Sequence, residues 1–125
     1  MSKLSAEVDI ALRDFVSNVG GEALGAMLIH RNGFVISSVI KDGVNAKTLS
    51  AVLAAVKGSV DKMLSKSGIG GTDLVLLRAG KYLITMMPIN NEIILISLSR
   101  EDSNIGLILM GLDYIKERIG KILYQ

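Results

Sequence analysis

Histidine occurs once in this 125-residue chain, as His30, and cysteine does not occur at all. Without a second histidine or any thiolate, no zinc ligand set can be assembled, and disulfides and cysteine nucleophiles are excluded. A Ser-His-Asp arrangement can be drawn from Ser37, His30 and Asp42. Closeness along a hairpin does not create the geometry such a triad needs, so His30 reads as a strand-end residue. The glycines Gly68, Gly70 and Gly71 resemble a phosphate cradle, but such loops run from a strand into a helix, and this one runs from a helix into a strand. It reads as a helix C-cap and turn. The adjacent carboxylates Glu101 and Asp102 stand just before a helix and are expected to favour its N-terminal dipole. No catalytic, metal-binding or cofactor-binding residue is expected, and the chain is not expected to be an enzyme.

The charge balance narrows the partners. Fourteen basic and twelve acidic residues leave a formal charge of +2. Lys47, Lys57, Lys62 and Lys66 make residues 45–66 the most basic segment, yet no aromatic residue stands among them to stack on bases, so they predict a solvated rim and no nucleic-acid track. Uncharged stretches such as 82–91 and 93–99 fall short of the roughly 20 residues that cross a bilayer as a helix, so no direct membrane insertion is expected. The opening residues Met1, Ser2 and Lys3 lead into polar, helix-like sequence. That predicts no signal peptide and, with cysteine absent, a cytoplasmic protein.

Spacing supplies the elements that must position any functional surface. Residues 3–18 place Leu4, Val8, Ala11, Leu12, Phe15 and Val19 on one helical stripe, which Gly20 and Gly21 stop. Apolar runs at 23–30 and 34–40 flank Arg31-Asn32-Gly33, a hairpin signature, and Asp42-Gly43 closes that unit. A helix over 45–66 follows, then strands at 73–79, 82–88 and 92–99 separated by Gly80-Lys81 and Ile89-Asn90-Asn91. Pro88 falls at the end of a strand, where a missing ladder donor is tolerated. Ser103 or Asn104 caps a last helix whose Ile105, Ile108, Leu109, Leu112, Ile115, Ile119 and Ile122 share a stripe. The strand at 92–99 is apolar on both alternations, with Ile93 and Leu95 opposite Ile94, Ile96 and Leu98, and needs cover on both faces. The expected architecture is one α/β domain of α+β type over residues 1–125, a three-layer sandwich. Its five-stranded, mostly antiparallel sheet comes in the order α-β-β-α-β-β-β-α.

The helix at 45–66 is the unusual element. At 100° per residue Leu49, Val52, Leu53, Val56, Val60, Met63 and Leu64 form a bulky face expected on the core. Ala51, Ala54, Ala55 and Gly58 form a small face roughly opposite. Gly58 inside a helix costs about 1 kcal/mol relative to alanine, and close approach of another backbone would offset this. The plainer alternative is that alanine, the best helix former, simply stands in solvent.

The chain resembles the roadblock and dynein light chain family over nearly its whole length. The likeness is carried by Gly25-Ala26-Met27-Leu28-Ile29, the turn Arg31-Asn32-Gly33, a strand into Ser37-Ser38 and the alanine-rich helix. Further on it is carried by the Gly80 turn, Tyr82-Leu83-Ile84-Thr85-Met86-Met87-Pro88, and Asn104-Ile105-Gly106-Leu107 opening the last helix. The resemblance implies a roadblock/longin-like fold and a homodimer or roadblock-type heterodimer, with central helices side by side and the strand at 73–79 paired to its twin. In this chain those interface positions are Ala51, Ala54, Ala55, Gly58 and Lys62 on the helix, and Asp73, Val75 and Leu77 on the strand. It also implies a Ras-like small GTPase as partner, bound and regulated or scaffolded. The surface expected to bind it is formed jointly by two central helices, with Lys47, Lys62 and neighbours offering polar specificity around small residues such as Ala51. The resemblance carries no universal catalytic residue, and Arg31 reads as exposed surface in preference to an arginine finger. Leu107, Met110 and Tyr114 gather off the main stripe of the last helix, either as a second partner surface or packed on the first helix. Two other readings stand beside the GTPase module: a small-ligand sensor or enzyme on the same sandwich, and an assembly subunit of a larger complex.

Overall fold

The computed structural model describes residues 3–19, 23–41 and 43–124. Eight elements follow one another: α1 (Lys3–Asn18), β1 (Ala23–His30), β2 (Val35–Ile40), α2 (Ala46–Lys66), β3 (Val75–Ala79), β4 (Tyr82–Pro88), β5 (Ile93–Arg100) and α3 (Ile105–Leu123). The proposed stops at Gly20-Gly21 and the Asp42 step lie outside the described residues.

Local chemistry accounts for the boundaries. The side chain of Asn45 accepts from Thr48 N at 3.0 Å and starts α2, and Asn104 accepts from Leu107 N at 3.2 Å and starts α3, each satisfying an N–H left open by the helix. α2 ends where Gly68 takes a φ of +84° and Ile69 N donates back to Leu64 O at 2.9 Å, a C-terminal closure that favours glycine. Gly33, at φ +102°, turns β1 into β2. Asn90 bridges β4 and β5 by accepting from Glu92 N and Ile93 N at 2.8 and 2.9 Å.

The strands form one sheet in the order β2-β1-β5-β4-β3, and every pairing is antiparallel. β5 lies in the middle, and its alternation sorts as the sequence predicts. Leu95 joins Val8, Leu12, Phe15, Ile108, Leu112, Ile115 and Ile119 in the core beneath α1 and α3. Ile94, Ile96 and Leu98 join Met27, Ile29, Ile84 and Met86 in the core beneath α2. The result is three layers: α1 and α3, the sheet, and α2. Ser97, Ser99 and Thr85 are buried on β5 and β4. Their hydroxyls find partners, Thr85 with Ser97 and Ser99 with Leu83 O at 3.4 Å, as buried polar groups must.

Three expectations change. Ile105 is exposed, because it stands in the first turn of α3 before the helix reaches the sheet. β3 is shorter than 73–79: Asp73 and Leu74 belong to the approach from α2, held short of the sheet by the contacts of Thr72 described below. α2 is rotated from its expected setting. Its inward stripe is Ser50, Leu53, Ala54 and Lys57, whereas Val52 and Met63 are 53% and 61% exposed. The reason is the β1–β2 turn. Ser50 Oγ donates to Gly33 O at 2.6 Å, and a Cβ added at Gly33 would stand 3.3 Å from Ala51 Cα. A backbone that close admits only small side chains at positions 50 and 54.

Candidate functional site

The surface of interest is built from the outer face of α2 and the free edge of β3. Ala51, Ala55, Gly58 and Lys62 are exposed, as are Lys47 and Lys66. Apart from its own helix backbone, nothing lies within 4 Å of a Cβ added at Gly58. Ala54 departs from the expected interface set. It is 8% exposed and packs in the core with Leu53 and Met27, so it faces the sheet and not the small outer stripe. The stripe is also less pure than the wheel implied, because Val52 and Met63 share the open face.

Lys57 departs from the expected solvated rim. It is buried and its ammonium donates to Asp61 Oδ2 at 2.7 Å. Asp61 Oδ1 accepts from Thr72 N at 2.8 Å and from Thr72 Oγ1 at 2.6 Å. Partial burial of Asp61 on its own raises its pKa, but the hydrogen bonds from Lys57 and Thr72 together outweigh it and hold the carboxyl below its ordinary value of 3.8. The brace fixes the loop that delivers the chain from α2 into β3. The i, i+4 spacing of Lys57 and Asp61 was the available signal for it.

The sheet has two edges, and they differ. β2 slips register against β1 between Leu28 and Ile29, a bulge that blunts an edge. Ser37 Oγ on β2 also donates to Asp9 of α1 at 2.9 Å. β3 pairs with β4 in unbroken register from Val75↔Met86 to Ala79↔Tyr82. Its other side is open, with Leu76 exposed and Val75 and Leu77 half-buried. A regular apolar edge of this kind is a pairing template.

The remaining sequence candidates have structural roles. His30 Nδ1 accepts from Asn32 N at 3.1 Å, and its ring stacks on Phe34 at 4.6 Å. Ser37 is engaged by Asp9, and Asp42 lies outside the described residues, so no triad forms. Glu101 reaches Arg78 at 3.7 Å, and its N–H donates to Lys81 O, which ties it to the β3–β4 hairpin and not to the α3 N-terminus. Among the described residues no three His, Cys, Asp or Glu side chains are placed to hold a metal, and no helix is long and apolar enough to cross a membrane.

Two clefts bear on function, one beside this surface and one on the opposite side of the sheet. One, of about 550 Å³, lies between α2, the β1–β2 turn and the β4–β5 turn and includes Arg31, Lys57, Asp61, Thr72 and Asn90. Much of its polar lining is engaged internally, through the Lys57–Asp61–Thr72 brace, Arg31 Nη1 to Asn91 O at 3.4 Å, and the Asn90 bridge. The other, of about 630 Å³, runs between α1 and α3 over Phe15, Gly111 and Ile115. Met110 and Tyr114 on its rim are 70% and 69% exposed, and Leu107 is open as well. These side chains are therefore not packed away against α1.

An antiparallel sheet of this order, with one helix on one face and two on the other, is the roadblock fold. The solved structures agree: MglB of Myxococcus xanthus matches with a TM-score of 0.89 at 14% identity, over 99% of this chain and 92% of that one. A structure described as MglB with tetrameric arrangement matches with a TM-score of 0.87 at 15% identity, over 98% and 91%. A Roadblock/LC7 domain from Streptomyces avermitilis matches with a TM-score of 0.84 at 14% identity, over 94% and 98%. By sequence, the uncharacterized protein MJ0714 of Methanocaldococcus jannaschii is 27% identical over 95 residues, 76% of this chain and 80% of the relative. No protein-family model matches the chain.

Proposed function

We propose that this chain is a non-enzymatic, two-fold dimeric module that binds a Ras-like small GTPase and regulates or positions it. The observation that carries the dimer is the pairing of two unfinished surfaces. The apolar edge of β3 is regular and unprotected while the β2 edge is bulged, and the helix braced to β3 through Asp61 and Thr72 leaves Ala51, Ala55, Gly58 and Lys62 open. A two-fold axis beside β3 completes both at once. Asp73, Val75 and Leu77 enter the contact from the strand and its approach; Ala54 does not.

The GTPase partner rests on the roadblock resemblance, and Lys47 and Lys62 would offer polar specificity around small residues such as Ala51. The test is co-purification from cells followed by GTP hydrolysis measured with and without this protein. A GTPase whose turnover changes supports regulation, and one bound with unchanged turnover supports positioning. Absence of any GTPase among the bound proteins overturns the reading. Light scattering that gives the mass of one chain at micromolar concentration overturns the dimer.

A small-ligand sensor is the second reading, and the cleft between α2 and the β1–β2 and β4–β5 turns is its candidate site, where a ligand would have to displace the internal contacts of Arg31, Asn90 and Asp61. Thermal stabilisation by a panel of charged metabolites is the measurement that supports it.

A further inference from the structure

The β3 edge carries enough information to set how a second copy aligns on it. Gly80 and Lys81 form a two-residue loop, and Ala79 faces Tyr82 directly across it. In such a hairpin the closing residues exchange backbone hydrogen bonds, and the ladder then alternates. Ala79, Leu77 and Val75 therefore spend their N–H and C=O groups on β4. Leu76 and Arg78 point theirs outward, and only they can bond to a second strand.

This parity limits the antiparallel alignments to three that use these groups centrally. In one, Arg78 faces its own twin, and like charges stand directly opposite, which is unfavourable. In another, Leu76 faces its twin, and the overlap shrinks to the three residues from Val75 to Leu77. In the third, Leu77 faces Leu77 of the second copy. Leu76 then exchanges hydrogen bonds with Arg78 of the second copy, and Val75 faces its Ala79, so the entire span of β3 is paired. Two further features favour this alignment. The long apolar stem of Arg78 lies beside the exposed Leu76 of the other strand. Asp73, just before the strand, is brought opposite Lys81 of the second copy in the turn, twice per dimer by symmetry. Both are exposed, and both carry a charge.

We infer that β3 pairs with a second copy of this chain in the Leu77-centred register, locked at each end by Asp73 of one copy and Lys81 of the other. The inference rests on the dimer reading above and adds its alignment. It sets the two-fold axis between the two Leu77 residues, whose side chains lie on the sheet face that α2 covers, since Leu77 packs with Ile84 beneath that helix.

The chain has no cysteine, so single-cysteine variants report the register without background. Residues facing each other at a non-hydrogen-bonded position have Cα atoms about 4.5 Å apart, within the roughly 4.4–6.8 Å that a disulfide spans, whereas diagonal neighbours stand about 7–8 Å apart. Under mild copper-phenanthroline oxidation Leu77→Cys is expected to become mostly covalent dimer and Leu76→Cys to remain mostly monomeric on a denaturing gel. The reverse pattern overturns the register while sparing the dimer. No cross-link at either position in a protein of dimeric mass overturns strand pairing, and a monomeric mass overturns the dimer itself. Independently, Asp73→Lys or Lys81→Asp alone is expected to weaken dimerisation about fivefold, and the two together to restore it to within about twofold. Failure of the double variant to recover also overturns the register.

Discussion

The carboxylate of Asp61 accepts both the backbone N–H and the hydroxyl of Thr72, at 2.8 and 2.6 Å, and so joins the last third of α2 to the segment that enters β3. Its other oxygen holds the buried ammonium of Lys57. The helix face and the strand edge proposed to meet a second copy are thus held in one orientation by a single side chain.

Asp61→Ala is expected to lower folding stability by about 2 kcal/mol, because it strips the partner from a buried cation and two donors from their acceptor. Urea unfolding followed by circular dichroism measures this. Thr72→Val, which keeps the backbone bond, should cost about 1 kcal/mol.

The brace also sets a pH dependence. The pKa of Asp61 is lowered in the folded chain, so its charged form contributes stability above the ordinary value of 3.8, and that contribution is lost as pH falls through the folded value. The stability difference between the parent chain and Asp61→Asn is therefore expected to be full at neutral pH and to shrink progressively below about pH 4. A constant difference from pH 7 to pH 3 would contradict the assignment.

Gly58 separates helix propensity from packing. With nothing near its Cβ position, Gly58→Ala is expected to stabilise the isolated fold by about 1 kcal/mol. Gly58→Arg should fold equally well, yet give the mass of one chain in light scattering. A dimeric Gly58→Arg variant would remove this glycine from the interface.

Gly33→Ala is expected to destabilise by about 2 kcal/mol, since φ of +102° is strained for alanine and the new methyl group meets Ala51 Cα at 3.3 Å. Differential scanning calorimetry measures the loss.

On α3, exposure decides the outcome. Met110→Ala and Tyr114→Ala are expected to shift stability by no more than about 0.5 kcal/mol, whereas Leu112→Ala, fully buried one residue from Gly111, should cost about 3 kcal/mol. A large loss at Tyr114 would show that this side chain packs on α1 after all.

Much of the fold was legible because it depends on local rules. Asn45 and Asn104 cap helices by accepting nearby N–H groups, Gly33 turns a hairpin, and the two-sided apolar pattern of β5 requires layers above and below. The site was legible in part. Gly58, Ala51 and Ala55 stand exposed as the small face required, and β3 lies at an edge. Ala54 and Lys57 lie on the inward side of α2, where side-chain bulk alone does not place them.

The sequence by itself determined the order of elements, the starts of α2 and α3, and which strand lies between two cores, since periodicity, caps and turn residues act over a few residues. The tertiary structure decided the rotation of α2, the burial of Lys57 and the point where β3 begins. Each of these depends on a contact between segments distant in the chain: Gly33 against Ser50 and Ala51, and Asp61 against Thr72. A helix turns toward the neighbour that fits it, and here that neighbour is a glycine turn close enough to demand serine and alanine where the wheel alone placed valine and methionine.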